Sequence, residues 1–311
     1  MKPVTTLRRG MDPGPSLKST HPAAARWIGT LIRMTSAHPG MTRILDVVER
    51  LSDRPYRTNF VLLGEPGTGK EGLGRALANL TSPAGPLVRY DVAGFPEDEA
   101  LALLCGAGRR GGVAEAADGG SILIEEAAGL PARVQAALLR LLKTGRCERL
   151  GAAAVNSPDD DERPGDKSKR WDVRVVAMSD RDLLAEIATG RFRHDLYHRL
   201  ARVVLTLPPL RERKDDIGPA VIWMGNRILR QARVPLDLMG AEDFNVASRE
   251  EKRRAIAVDP EAIVTLEQHT WPGNFRELEA VLERALLLYR EGDRLRAEAI
   301  SAALQNGEIG S

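Results

Sequence analysis

The sequence predicts an α/β protein, in which helices pack on a parallel sheet around a glycine-rich loop, followed by a small all-helical domain. Three observations carry the prediction. Between residues 59 and 207, short apolar runs alternate with stretches of helical spacing; strands buried on both faces read as such runs, and the helices return the chain for the next parallel strand. Gly64-Glu-Pro-Gly-Thr-Gly-Lys70 stands where the first run gives way to a helix. Aromatic residues are only 4% of the chain, so the core is Leu, Ile, Val and Ala, which suits helices on a sheet better than an aromatic-rich sandwich or propeller. With 311 residues, 43% of them hydrophobic and 28% charged, the chain has room for one large domain and a satellite, and is neither wholly disordered nor fibrous.

The elements follow in order. Residues 1–23 are rich in Pro, Gly, Ser and Thr and are expected to form a mobile tail. Ala24 to Met34 and Thr42 to Leu51 carry helical spacing, with Ile44, Val47, Val48 and Leu51 on one face. Strands are expected at Asn59 to Leu63, Leu87 to Val92, Ile122 to Ile124, Val173 to Met178 and Val203 to Leu207. Helices are expected between them at Glu71 to Leu80, Glu97 to Leu104, Pro131 to Leu142 and Leu183 to Ile187. From Ile217 the pattern reads as wholly helical, at Ile217 to Arg230, Pro260 to His269, Asn274 to Tyr289 and Leu295 to Leu304. This divides the chain into a tail at 1–23, an α/β domain at 24–212 and a helical domain at 213–311. Two polar stretches read as surface insertions: Asn156 to Arg170, an acidic block followed by a basic one, and Ala241 to Arg254.

A net charge of +2 gives no global footprint for nucleic acid or an acidic membrane. No apolar run approaches the about 18 residues of a membrane span. Cys105 and Cys147 are too few for a disulfide framework and lie among apolar residues, where they are expected to act as small reduced hydrophobes; a cytoplasmic location is the expectation that follows.

The chemistry concentrates in a few strings. In Gly64, Glu65, Pro66, Gly67, Thr68, Gly69 and Lys70, the glycines let consecutive N–H groups turn inward on phosphates. The following helix adds its N-terminal partial charge and Lys70 a point charge. Glu71 stands where Ser or Thr would place a hydroxyl on magnesium. Ile122-Leu-Ile-Glu125-Glu126 supplies the carboxylates that a nucleotide-hydrolysing site needs at the end of a buried strand; the bland alternative is two acids capping a strand.

Those strings occur in one order with Ala117 to Glu126, Val173 to Leu183, Gly190-Arg-Phe-Arg-His-Asp-Leu-Tyr-His-Arg-Leu200, Pro208-Pro-Leu-Arg-Glu-Arg213 and Trp271-Pro-Gly-Asn-Phe-Arg-Glu-Leu278. Together, from about Met34 to Tyr289, they closely resemble the AAA+ domain of the sigma-54-dependent transcriptional activators, the bacterial enhancer-binding proteins. The resemblance implies a three-layer αβα P-loop domain with a helical lid, ATP and Mg2+ as cofactors, and a homo-oligomeric ring of six or seven subunits with ATP between them. By position, Lys70 holds the phosphates, Glu125 the metal, and Glu126 activates water. Asp180 takes the place of the sensor I Asn, Arg193 and Arg199 resemble fingers reaching the neighbour's site, and Arg276 resembles sensor II. Glu71 is ordinary in that family.

The departures matter as much. The family's long loop carrying GAFTGA, which touches sigma-54, corresponds here to Cys105-Gly-Ala-Gly-Arg-Arg-Gly-Gly112, with no Phe and no Thr. The family's Asn that restrains the catalytic Glu is Asp91, an acid expected to repel Glu126. With Glu125 for Asp and Asp180 for Asn, three positions of the catalytic shell are altered. The residues after Arg290 are too few for a two-helix DNA-binding module, so the chain is expected to carry none of its own. His194 and His198 share the i, i+4 spacing of paired metal ligands but lack an evident third. Arg109 and Arg110 are either a solvated turn or a basic tip facing an acidic partner. Two readings stand. One is an ATP-hydrolysing ring that remodels a protein partner, in the transcription machinery or another enhancer-binding protein. The other is a slow or inactive nucleotide-gated scaffold that co-assembles with another protein.

Overall fold

The computed structural model describes residues 5–6, 38–53, 58–82, 84–150, 170–290 and 292–305. The helix expected at Ala24 to Met34 lies outside them, as do the expected tail apart from Thr5 and Thr6 and the Asn156 to Arg170 stretch apart from Arg170.

The chain divides into two compact units. The first takes in Thr5–Thr6, Arg43–Gly64 and Lys70–Leu207. It holds a six-stranded, all-parallel sheet in the order β1-β3-β4-β5-β2-β6. The strands are β1 (Thr5–Thr6), β2 (Phe60–Leu63), β3 (Leu87–Tyr90), β4 (Ser121–Ile124), β5 (Arg174–Ser179) and β6 (Val203–Thr206). Five had been expected; the sixth is the Thr5–Thr6 pair, which forms a ladder along the otherwise open edge of β3. Helices α1 (Pro39–Asp53), α2 (Lys70–Thr81), α3 (Glu97–Cys105), α4 (Val113–Ala116), α5 (Ala132–Thr144), α6 (Leu183–Ala188) and α7 (His194–Leu200) follow in chain order. The central strands form helix-covered core, with Val61, Ile122, Ile124, Val175 and Ala177 fully buried. Gly74 permits a close helix–sheet approach, since a Cβ there would stand 2.7 Å from Leu123 Cδ1. Parallel strands leave every carboxyl end at one edge, and β2 meets β5 and β6 there, at the point where the order reverses.

Cys105 and Cys147 are joined in a disulfide, with Cα atoms 5.2 Å apart. The expectation of two reduced thiols is overturned. The apolar setting was read correctly, as Cys105 lies in the core and Cys147 packs on it. What spacing along the chain hides is that Gly145, at φ 74°, ends α5 and turns the strand of chain carrying Cys147 back toward the end of α3. The thiol argument for a cytoplasmic location falls with it.

The second unit takes in the residues at the start of α1, Glu65–Gly69 and Pro208 onward. Its core is helical: α8 (Ile217–Gln231), α11 (Pro260–Gln268), α12 (Asn274–Arg284), continued by a π turn at Ala285–Tyr289, and α13 (Ala297–Gln305) enclose Val221, Leu266, Trp271, Leu278 and Ile300. It is not all-helical, however. A three-stranded parallel sheet, β7 (Asp237–Gly240), β8 (Ala255–Val258) and β9 (Arg294–Leu295), runs through the stretch expected to be helical or inserted. Short helices α9 (Ala241–Val246) and α10 (Arg249–Lys252) fill the expected polar insertion, the latter closed by a Ser248/Glu251 capping box. These strands are too short for a period to show. The Asn226 side-chain amide, which accepts from Leu238 N (2.7 Å) and donates to Leu238 O (2.9 Å), ties β7 to α8.

Candidate active site

In the first unit, the carboxyl ends of β2, β3, β4 and β5 bring together the residues singled out from sequence. Gly64 N donates to Ser179 O, fixing the mouth of the loop against β5. Lys70, the first residue of α2, is buried and turns its Nζ back to Gly64 O. Glu71 pairs with Arg75 one turn on.

Glu126 follows β4 in a left-handed conformation, φ 50° and ψ 53°, which an L side chain adopts only when its surroundings require it. Burial raises its carboxyl pKa, and hydrogen bonding to and repulsion by Asp180 raise it further, against the pull of Lys70 and Arg181. Asp180 therefore opposes ionisation of Glu126. The acid that opposes Glu126 is Asp180. Asp91, expected in that role, instead accepts from Ala93 N (3.2 Å) and from Arg89 Nη2 (3.3 Å), and its charge acts on Glu125. β4 lies between β3 and β5, so the acids that follow those two strands act on its end from opposite sides, Asp91 on Glu125 and Asp180 on Glu126.

Glu125 is gripped by a residue the sequence reading passed over. Both nitrogens of one edge of the Arg89 guanidinium, Nε and Nη2, meet the two carboxylate oxygens of Glu125. Burial raises the Glu125 pKa, Arg89 opposes that rise, and Glu71 and Asp91 add to it. An arginine in the middle of the apolar run Leu-Val-Arg-Tyr was the available signal. Glu71 and Asp91 act on the Glu125 charge, but among the described residues the three acids do not form a cluster suited to a hard divalent cation such as Mg2+. The leading carboxylate already holds a cation.

Gln135 is a second residue missed. Buried on α5, it donates from Nε2 to Leu130 O (2.8 Å) and Arg191 O (2.9 Å) and accepts at Oε1 from Arg193 N (2.8 Å). It thereby sets the backbone from which Arg193 projects. The Arg193 side chain is exposed and forked onto Asp195, whose carboxyl it holds down at about 2. Arg199 is half-buried; its backbone O accepts from Asn59 Nδ2 (3.0 Å), and its guanidinium has no partner among the described residues. His194 and His198 bring their Nε2 atoms within 2.9 Å. Among the described residues no group of three His, Cys, Asp or Glu side chains suited to a metal occurs.

The stretch Cys105 to Gly112 is a tight turn. Ala107 and Arg110 exchange N–H···O bonds of 3.1 and 3.0 Å, Gly108 N donates to Leu150 O, and the Cys105–Cys147 bond closes its base. Arg109 and Arg110 stand exposed at the tip.

In the second unit, the loop residues Glu65–Gly69 are bound by side chains from the Pro208 to Arg213 and Trp271 to Leu278 motifs. Arg213, buried so that its pKa falls to about 10, donates to Thr68 O (2.7 Å) and lies over the Phe275 ring at 4.7 Å. Asn274, fully buried at φ 53°, donates to Pro66 O (3.0 Å) and to the Glu65 carboxylate (3.2 Å), and accepts from Leu210 N (2.7 Å). Arg211 forks onto Glu65 at 2.7 and 2.9 Å, and Phe275 N donates to Gly67 O (3.0 Å). Gly67 admits no side chain, for a Cβ would stand 2.2 Å from Gly273 O. Arg276, in the first turn of α12, is exposed, and its guanidinium has no partner among the described residues.

A glycine loop opening a helix, with acids at the ends of adjacent parallel strands, is the arrangement of an ATP-binding AAA+ module. The chain belongs to the sigma-54 activator family: a profile described as the Sigma-54 interaction domain matches residues 34–206, and one for the AAA+ ATPase lid domain matches residues 239–311. It is 35% identical over 264 residues to the response regulator protein FleR of Pseudomonas aeruginosa, covering 82% of this chain and 49% of FleR. It is 34% identical over 265 residues to the Nif-specific regulatory protein of Azotobacter vinelandii, covering 82% of this chain and 44% of that protein. The structure superposes on NtrX from Brucella abortus in complex with ATP with a TM-score of 0.69 at 27% identity, covering 89% of this chain and 56% of that one. The chain spans about half the length of the curated relatives it matches. No helix among the described residues is long and apolar enough to cross a membrane.

Proposed function

We propose that this chain binds ATP on the Gly64–Lys70 loop, hydrolyses it within a homo-oligomeric ring, and uses the cycle to remodel a protein partner in transcription control. The observation that carries the reading is the convergence of Lys70, Glu126 and Asp180 at one edge of the sheet, with Lys70 and Asp180 both acting on the Glu126 carboxyl. Lys70 leaves its resting contact on Gly64 O for the phosphates. Glu126 takes a proton from the attacking water. Asp180 sets how readily Glu126 does so, and Arg276 adds positive charge from its exposed place near Gly67. Mg2+, were it bound, would neutralise phosphate charge; the family resemblance gives it to Glu125, but that carboxylate is already paired with Arg89 here, so each step above belongs to the chain's own side chains. Arg193 and Arg199 act in the neighbouring subunit, where a guanidinium stabilises charge on the transferring phosphoryl group. The partner is met by the tight Cys105–Gly112 turn with Arg109 and Arg110 at its tip, without a GAFTGA contact to sigma-54.

A second reading, a slow nucleotide-gated scaffold that co-assembles with another enhancer-binding protein, is favoured by one observation, the raised pKa of Glu126, which burial and the neighbouring Asp180 hold up. Steady-state ATP hydrolysis across a protein concentration series separates the two, with Glu126→Gln as the blank. A rate per subunit that climbs with concentration and vanishes in the blank is expected. Tight nucleotide binding without turnover above the blank would establish the scaffold.

A further inference from the structure

Arg89 alternates along β3 with Val88 and Tyr90, whose side chains are in the core, and so projects from the other face of the strand, toward α2. There it lies among three acids: its Nη2 donates to Glu125 Oε2 while its Nε stands in ion-pair contact with Oε1, it touches Asp91 at 3.3 Å, and it feels the charge of Glu71. The charge-assisted hydrogen bond from Nη2 to Oε2, backed by the Nε–Oε1 ion-pair contact, is a strong pairing of guanidinium and carboxylate. Arg89 lies on β3 and Glu125 directly follows the adjacent β4, with Arg89 in register with Leu123, Tyr90 with Ile124, and Glu125 N donating to Tyr90 O (3.1 Å). A divalent ion taking a Glu125 oxygen competes with this pairing and stands beside the positive charge of Arg89, which Asp91 keeps in place.

We propose that Arg89 is a positioning residue that neutralises Glu125 in place of a divalent ion, so that nucleotide enters the loop with little dependence on Mg2+. This rests on the reading of the Gly64–Lys70 loop as a nucleotide site. The fixed charge of Arg89 does continuously what a bound metal does for that carboxylate, and a metal that arrives with the nucleotide meets repulsion where it would otherwise find an anion.

The test is the affinity of the whole chain for a fluorescent ADP analogue, measured in excess Mg2+ and in EDTA, for the wild type and Arg89→Gln. The wild type is expected to change by less than about threefold between the two conditions, and the variant by about tenfold or more, the scale of one charge-assisted contact. If Arg89→Gln fails to fold, judged by its melting curve, Arg89→Lys takes its place. Its ammonium keeps the charge but lacks the fork, and a ratio clearly above the wild type's is expected. A wild type that already needs Mg2+, or a variant with the wild-type ratio, overturns the proposal. A wild type that binds no nucleotide in either condition overturns the nucleotide reading as well, so the two failures are distinguishable.

Discussion

Glu126 is held in a left-handed backbone conformation beside an acid, and both features bear on its chemistry. Partial burial first, and Asp180 second, raise its pKa. A base must be deprotonated to act, so a raised pKa moves the acid limb of the rate profile upward in pH. Replacing Asp180 by Asn removes the competing charge and lets an amide donate to the Glu126 carboxylate. The acid limb of kcat/KM for ATP is therefore expected to shift to lower pH in Asp180→Asn, read directly from the pH profile. An unchanged limb would mean that Asp180 does not govern Glu126. Much of this was legible beforehand, because strands that end in acids announce themselves as apolar runs closed by Asp or Glu. Which acid meets which was not. Asp91 was set against Glu126 on motif position alone, whereas β4 lies between β3 and β5 and hands that role to Asp180. The Arg89–Glu125 fork was invisible for the same reason, since it crosses 36 positions of sequence between neighbouring strands.

At the scale of elements, the turn ahead of α12 does more than enter a helix. Trp271 and Asn274 both have positive φ, at 52° and 53°, and Asn274 spends its amide on the loop that precedes α2. An Ala at 274 would leave Pro66 O and Leu210 N without their side-chain partner while still forcing a Cβ residue into the left-handed region. We expect Asn274→Ala to lower unfolding free energy by about 2–4 kcal/mol in urea titration. Asn274→Gly, free of the backbone strain, is expected to lose less, and equal losses would locate the whole cost in the hydrogen bonds. The string Trp-Pro-Gly-Asn was visible in sequence as a turn, but its partners at 65 and 66 lie more than 200 positions away. The lid strands were missed on other grounds: β8 is four small apolar residues, Ala-Ile-Ala-Val, too few to separate a strand from a buried helical turn. The cystine was missed because two cysteines 42 positions apart carry no framework signal; what joins them is the return of the chain after Gly145.

For the whole molecule, the central claim is that hydrolysis is shared between subunits, with Glu126 from one and Arg193 from the next. Arg193 is exposed and, among the described residues, its side chain is held by Asp195 on the short helix it opens, a contact that a neighbour's phosphate can replace, while Gln135 keeps its backbone in place. A ring with head-to-tail contacts places each subunit's finger at one face and its base at the other. The most direct measurement mixes two inactive variants, Glu126→Gln, which keeps its finger, and Arg193→Ala, which keeps its base. Random co-assembly gives roughly a quarter of the interfaces a base and a finger together, so the mixture is expected to recover on the order of that share of wild-type ATPase activity. A mixture no more active than the sum of its two parts would contradict catalysis across the subunit boundary.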